Sequence, residues 1–168
     1  MRMITMIVIH CSATRSTRNY TVQQLYHDHV EINHWRFIGY HYYIRRSGKV
    51  EETRPLERIG AHAKGHNAFS IGICYEGGLD AQGRYADTRT PEQKRAMAEL
   101  IIRLRQQFPS IVQVVGHCDL PGVQKACPCF DATTLKKYLW KKSYEEESTS
   151  EKHSKDKDAT SEGKEVKP

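Results

Sequence analysis

The chain has 168 residues, 38% of them apolar and 27% charged, which is the composition of one ordinary globular domain. Residues 1–140 carry 19 Lys and Arg against 12 Asp and Glu, and the last 28 residues carry 7 Lys against 8 acids, so the body is about +7 and the tail −1, together the net charge of +6. No apolar run approaches the roughly 18 residues of a membrane span, the first ten residues lack the features of a secretory signal, and five cysteines are an odd number for a disulfide framework. These features predict a cytoplasmic place of synthesis and reduced thiols. In chain order, residues 4–9 are apolar and β-branched and read as a buried strand ending at His10. Thr21 and Gln24 form a capping box, and Val22, Leu25, Tyr26, His29 and Val30 follow at helical spacing, predicting a helix over 22–33. Residues 40–46 and 49–53 flank Ser47-Gly48, a hairpin signal, and 70–75 read as another buried strand. Thr90, Pro91 and Gln93 start a second helix whose apolar stripe runs through Met97, Leu100, Ile101, Leu104 and Phe108 to Pro109. A strand over 111–115 stops at Gly116-His117, and Asp131 caps a last helix carrying Leu135, Leu139 and Trp140.

Strands interleaved with helices predict an α/β fold, a central mixed sheet flanked by helices and containing at least one antiparallel hairpin. The catalytic-type body is expected over 1–142. Residues 143–168 contain one aromatic residue, Tyr144, and almost no apolar side chain to offset ordering entropy, so they read as a disordered charged tail.

Three side chains able to bind a metal fall in comparable places: His10 after the first strand, His117 after a later strand, and Cys127 in the loop that follows. Ligands at strand ends are held by a rigid sheet while their side chains face a cleft. Two imidazoles and a thiolate suit zinc, and a set of three leaves a fourth position open, as in catalytic zinc sites. Spacing alone does not select this triplet, because nine His and five Cys offer many others.

The surrounding residues do select it. Ile9-His10-Cys11-Ser12-Ala13-Thr14, Gly39-Tyr40-His41-Tyr42, Ala61-His62-Ala63-Lys64-Gly65-His66-Asn67, Ser70-Ile71-Gly72-Ile73, Gly116-His117-Cys118-Asp119 and Lys125-Ala126-Cys127-Pro128 follow one another in that order. Together, over residues 4–140, they resemble the zinc-dependent N-acetylmuramoyl-L-alanine amidases, most of all the amidase-type bacteriophage lysozymes, and more distantly the peptidoglycan recognition proteins. The resemblance implies that fold, one zinc per chain on His10, His117 and Cys127, an essential tyrosine at Tyr40 and an essential lysine at Lys125. It departs from the phage pattern in the longer loop between His117 and Cys127. That loop looks more like the cytoplasmic muropeptide-recycling amidases, which place an aspartate where Cys127 stands. Cys129 is a rival thiol.

Amide hydrolysis accounts for these residue types. A zinc ion activates both water and the carbonyl, and a cation must meet the tetrahedral oxyanion, a role assigned to Lys125 with Tyr40 orienting water or the intermediate. Glu76, at the end of the 70–75 strand, is a candidate general base. His62, His66 and Asn67 are candidates to line the groove that receives glycan or peptide. The expected partner is peptidoglycan or its soluble muropeptides, acted on by a monomer. Nucleic acid is not expected, because Arg and Lys are scattered without a binding motif, and a basic body attracts the anionic stems and polymers of bacterial walls. Two other readings compete: a non-catalytic muropeptide-binding module of the same fold, and a structural zinc site closed by Cys129. An enzyme of this kind reaches the wall through a pore or at lysis.

Overall fold

In the computed structural model, which describes residues 2–144, seven strands and two α-helices alternate along the chain. Strands β1 (Met6–Cys11), β3 (Tyr42–Ile44), β4 (Val50–Glu52), β5 (Ser70–Tyr75) and β7 (Gln113–Gly116) form one sheet in the order β4-β3-β5-β1-β7. All pairs are parallel except β3 with β4, which is the hairpin predicted around Ser47-Gly48. The central strands β1 and β5 are buried along their whole length, as expected where a parallel sheet is covered on both faces by its crossovers. The mixed sheet flanked by helices is therefore as predicted.

One face packs against α2 (Pro91–Gln107). Thr90 accepts from the Gln93 amide and Gln93 answers with its side chain, and the stripe Met97, Leu100, Ile101, Leu104 is buried on Ile7, Ile9, Ile71 and Ile73. Residues Ala132–Trp140 complete this layer as a 3-10 helix rather than the predicted regular one. Asp131 caps Thr133, and the Thr134 hydroxyl bonds back to the Asp131 carbonyl, so side chains compete with the regular helical ladder. Tyr144 packs on Tyr138 within this layer, two residues past the predicted end of the body. The rest of the predicted tail, residues 145–168, lies outside the described residues.

The opposite face is covered by α1 (Val22–Tyr26) and by loops. The predicted 22–33 helix is α-helical only to Tyr26, then widens into a π turn over His27–Ile32 that closes with Asn33 N–H donating to the Asp28 carbonyl. A short parallel pair, β2 (Thr14–Arg15) with β6 (Gly78–Leu79), carries no alternation to announce it. Strand β1 begins and ends two residues later than predicted, so His10 lies inside the strand rather than after it. Strand β7 likewise begins at Gln113, although Ile111 is fully buried before it. Among the described residues, no helix is long and apolar enough to cross a membrane.

Candidate metal centre and active site

Parallel pairing of β1 with β7 brings two histidines together. Ile9 lies opposite Gly116, so His10 and His117, one residue further on, leave the same edge of the sheet, with ring centroids 4.6 Å apart. This is the carboxyl end of the parallel strands, where open α/β sheets place their sites. Cys127 arrives from the loop after β7. Its carbonyl accepts from the Cys118 amide at 2.8 Å and its sulfur accepts from the Cys11 amide at 3.3 Å. The loop is anchored by Tyr75, whose hydroxyl donates to the Pro128 carbonyl at 2.7 Å. It also presses on Gly116, where a Cβ would stand 2.6 Å from Pro128 Cδ, so a side chain there would push the loop away.

The donor atoms of His10, His117 and Cys127 all lie within 4.8 Å of one another, and no other such group occurs among the described residues. A tetrahedral ion with bonds of about 2.0 to 2.3 Å separates its donors by roughly 3.3 to 3.8 Å. The 3.8 Å from Cys127 Sγ to His10 Nδ1 matches that span. Burial pushes the His10 pKa well below the usual histidine value, helped by His62, His117 and Lys125. His117 is lowered by burial and by Lys125. Both rings are thus neutral at neutral pH, the form that ligates a metal. The residues fit a zinc ion.

Cys129 does not join them. Its sulfur lies 3.8 Å from that of Cys11, and it is not part of the His10, His117 and Cys127 group. Tyr40 is half-buried with its ring 5.0 Å from that of His10, and burial raises its pKa well above the usual tyrosine value, keeping the phenol protonated. Lys125 is exposed, and its charge acts on both histidines of the trio.

Four predicted site residues are placed differently. Glu76 is fully buried on β5's extension, with Oε1 accepting from the Tyr20 amide at 2.7 Å and Oε2 from Arg45 at 2.8 Å and the Arg46 amide at 3.0 Å. Both oxygens are engaged in holding loops to the sheet, and these contacts do not include His10, His117 or Cys127, which counts against the expected general-base role. His62 is buried, with Nδ1 3.0 Å from His10 Nε2. The Asn67 carbonyl oxygen accepts from the His62 and Ala63 amides, both at 2.9 Å, and is consumed in shaping its own loop. His66 is half-buried against Phe69, with centroids 5.6 Å apart, and touches none of the trio. The sequence signal for His62 was present in the Ala-His-Ala segment, but a polar loop gives no indication of which of its side chains turns inward.

Residues 1–130 match the family model described as N-acetylmuramoyl-L-alanine amidase. The chain belongs to this family. It is 40% identical over 136 residues to the endolysin of Klebsiella phage KP32, covering 81% of this chain and 85% of that one. The solved structure of the N-acetylmuramoyl-L-alanine amidase LysC from Clostridium intestinale superposes with a TM-score of 0.65 at 30% identity, covering 80% and 82% of the two chains. Drosophila PGRP-LB shares the fold, with a TM-score of 0.64 at 20% identity over 84% of each chain. The chain is thus a hydrolase of the peptidoglycan amidase class, with a His-His-Cys group able to hold a metal.

Proposed function

We propose that the chain hydrolyses the amide between N-acetylmuramic acid and L-alanine in peptidoglycan, using one zinc ion per chain held by His10, His117 and Cys127. The observation that carries this reading is the convergence of two neutral imidazoles and a thiol at the carboxyl edge of the sheet, beside Tyr40 and Lys125. When bound there, zinc polarises a carbonyl and lowers the pKa of water toward about 7. Lys125, two residues from Cys127 and exposed, presents its ammonium to the oxyanion that forms as the amide carbon becomes tetrahedral. Tyr40 keeps its proton, with its ring 5.0 Å from that of His10 and its hydroxyl bonded to the buried Cys74 thiol. Cys127 favours this reading over a binding module without catalysis, because it completes a set that recognition alone does not require. The body, residues 1–142, acts as a monomer made in the cytoplasm, and peptidoglycan or soluble muropeptides meet it at the wall or after release.

The test is product analysis by mass spectrometry on intact sacculi and, separately, on soluble muropeptides, with zinc counted per chain. New L-alanine amino termini without new reducing sugars are expected, whereas new reducing ends would make the chain a glycosidase. Lys125→Ala is expected to retain zinc and lose turnover by about a hundredfold, the scale of one lost oxyanion donor. Unchanged turnover would remove Lys125 from the chemistry.

A further inference from the structure

The ring of His10 has two nitrogens with different neighbours. Nδ1 faces the Cys127 sulfur at 3.8 Å, and Nε2 lies 3.0 Å from Nδ1 of His62, both histidines being buried. Two imidazole nitrogens at that distance share one hydrogen, since neither a pair of N–H groups nor a pair of bare lone pairs is stable there. We infer that His62 is a positioning residue, which fixes the plane and tautomer of His10 so that Nδ1 offers its lone pair to zinc. The inference rests on the zinc reading above and assigns a role to a residue outside the ligand set.

The direction of the hydrogen bond follows from the donor set. A metal on Nδ1 leaves the His10 hydrogen on Nε2, which donates to His62 Nδ1. His62 then carries its own hydrogen on Nε2, where the Ser70 hydroxyl stands 3.4 Å away as acceptor. The resulting chain of His10, His62 and Ser70 runs from the centre into the sheet. A ligating histidine commonly donates its second N–H to a carboxylate or carbonyl, and here a neutral imidazole occupies that place.

The surroundings hold His62 in this role. Its ring lies in a slot between Gly60 and Gly72, where a Cβ at either position would stand 2.5 Å from its Cδ2 atom. The Asn67 side chain fixes its backbone amide, and the His41 ring meets it edge-on at 5.7 Å. A side chain needed only to fill volume would not require two glycines and a directed contact with a ligand. This reading also accounts for the pairing of His62 with Asn67 in one short segment, where one side chain sets the position of the other.

The test compares the full wild-type chain with His62→Ala and His62→Asn, measuring zinc affinity by competition with a chromophoric chelator. The asparagine amide oxygen takes the place of His62 Nδ1. His62→Ala is expected to raise the zinc Kd by about 10- to 100-fold, the usual cost of losing such a partner, and His62→Asn to stay within about threefold of wild type. Nitrogen-15 spectra of the histidine-labelled, zinc-loaded wild type should show His10 protonated on Nε2. Melting of the metal-free proteins separates loss of fold from loss of affinity. If His62→Ala does not fold, the wild-type spectrum and His62→Asn decide. Equal zinc affinity in wild type and alanine variant would overturn the inference. So would equal losses in Ala and Asn variants that melt like wild type, or a His10 hydrogen found on Nδ1. A wild-type chain that binds no zinc would instead overturn the zinc reading, and the inference with it.

Discussion

The two faces of the sheet are built by different means. Toward α2, Ile7, Ile9, Ile71 and Ile73 meet Met97, Leu100, Ile101 and Leu104, and each contact is a matter of volume and shape. Toward α1 and the loops, His10, His62, His41 and Glu76 are buried in specific polar bonds, each with a named partner. Apolar packing is non-directional and tolerates exchange of like for like, whereas a buried polar group costs 1–3 kcal/mol or so if its partner is removed. One face therefore supplies most of the stability, and the other uses some of it to hold charged and ligating groups in place.

The sharpest way to test this contrast is Cys127→Ser. It should lower turnover by about a thousandfold, roughly 4 kcal/mol in the barrier, while urea unfolding of the metal-free chain stays within about 1 kcal/mol of wild type. Ile101→Ala should do the reverse. A fully buried isoleucine cut to alanine on the α2 face should cost about 3.5 kcal/mol of stability and leave zinc affinity of the folded fraction unchanged. If each variant damaged both properties equally, the division between the faces would fail.

Acid should act through the polar face. His41 accepts from the Gly72 amide on Nδ1, and its Nε2 lies 2.9 Å from the Arg2 guanidinium and 3.0 Å from the Arg58 carbonyl, so burial, with the nearby Arg2 and Arg54 charges, lowers its pKa from 6.5 to about 4. The unfolded chain then binds more protons than the folded one between those values. The contribution is whole above pH 6.5 and lost as pH falls toward 4, by at most on the order of 3 kcal/mol. Burial of His10 and His62 shifts them in the same direction and adds to the loss. Urea midpoints at pH 7 and 4.5 measure it, and equal midpoints would count against the assignment. Glu76→Gln should have the smallest effect, about 2 kcal/mol, because Arg45 is partly exposed and its lost ion pair is partly replaced by water. Zinc binding and turnover per folded molecule should persist, and a loss of turnover at retained stability would return Glu76 to the chemistry.

The contrast also explains what could be read in advance. The 70–75 strand, the capping box at Thr90 and the stripe of α2 follow from local spacing, since a period of two or 3.6 residues leaves its mark on one segment alone. The capping box at Thr21 was equally legible, but the π turn after Tyr26 was not. It occurs where His29 is drawn between Trp35 and Tyr40, with centroids 4.6 and 5.5 Å away, contacts that no neighbouring residue announces. His10, His117 and Cys127, which the fold brings within 4.8 Å of one another, were legible as a set through their surrounding segments.

By itself, the sequence determined the α/β class, the family and the residue types able to hold a metal, because these depend on local pattern and on short segments in a set order. Only the tertiary structure decided which side chains serve which others. The register of β1 against β7 sets the spacing of the two histidines, and the Cys129 sulfur lies against that of Cys11. Arg45 and two loop amides claim Glu76, and a slot between two glycines turns His62 inward to His10. Such assignments are contacts between residues far apart in the chain, and they exist only once the backbone has brought them within hydrogen-bonding reach.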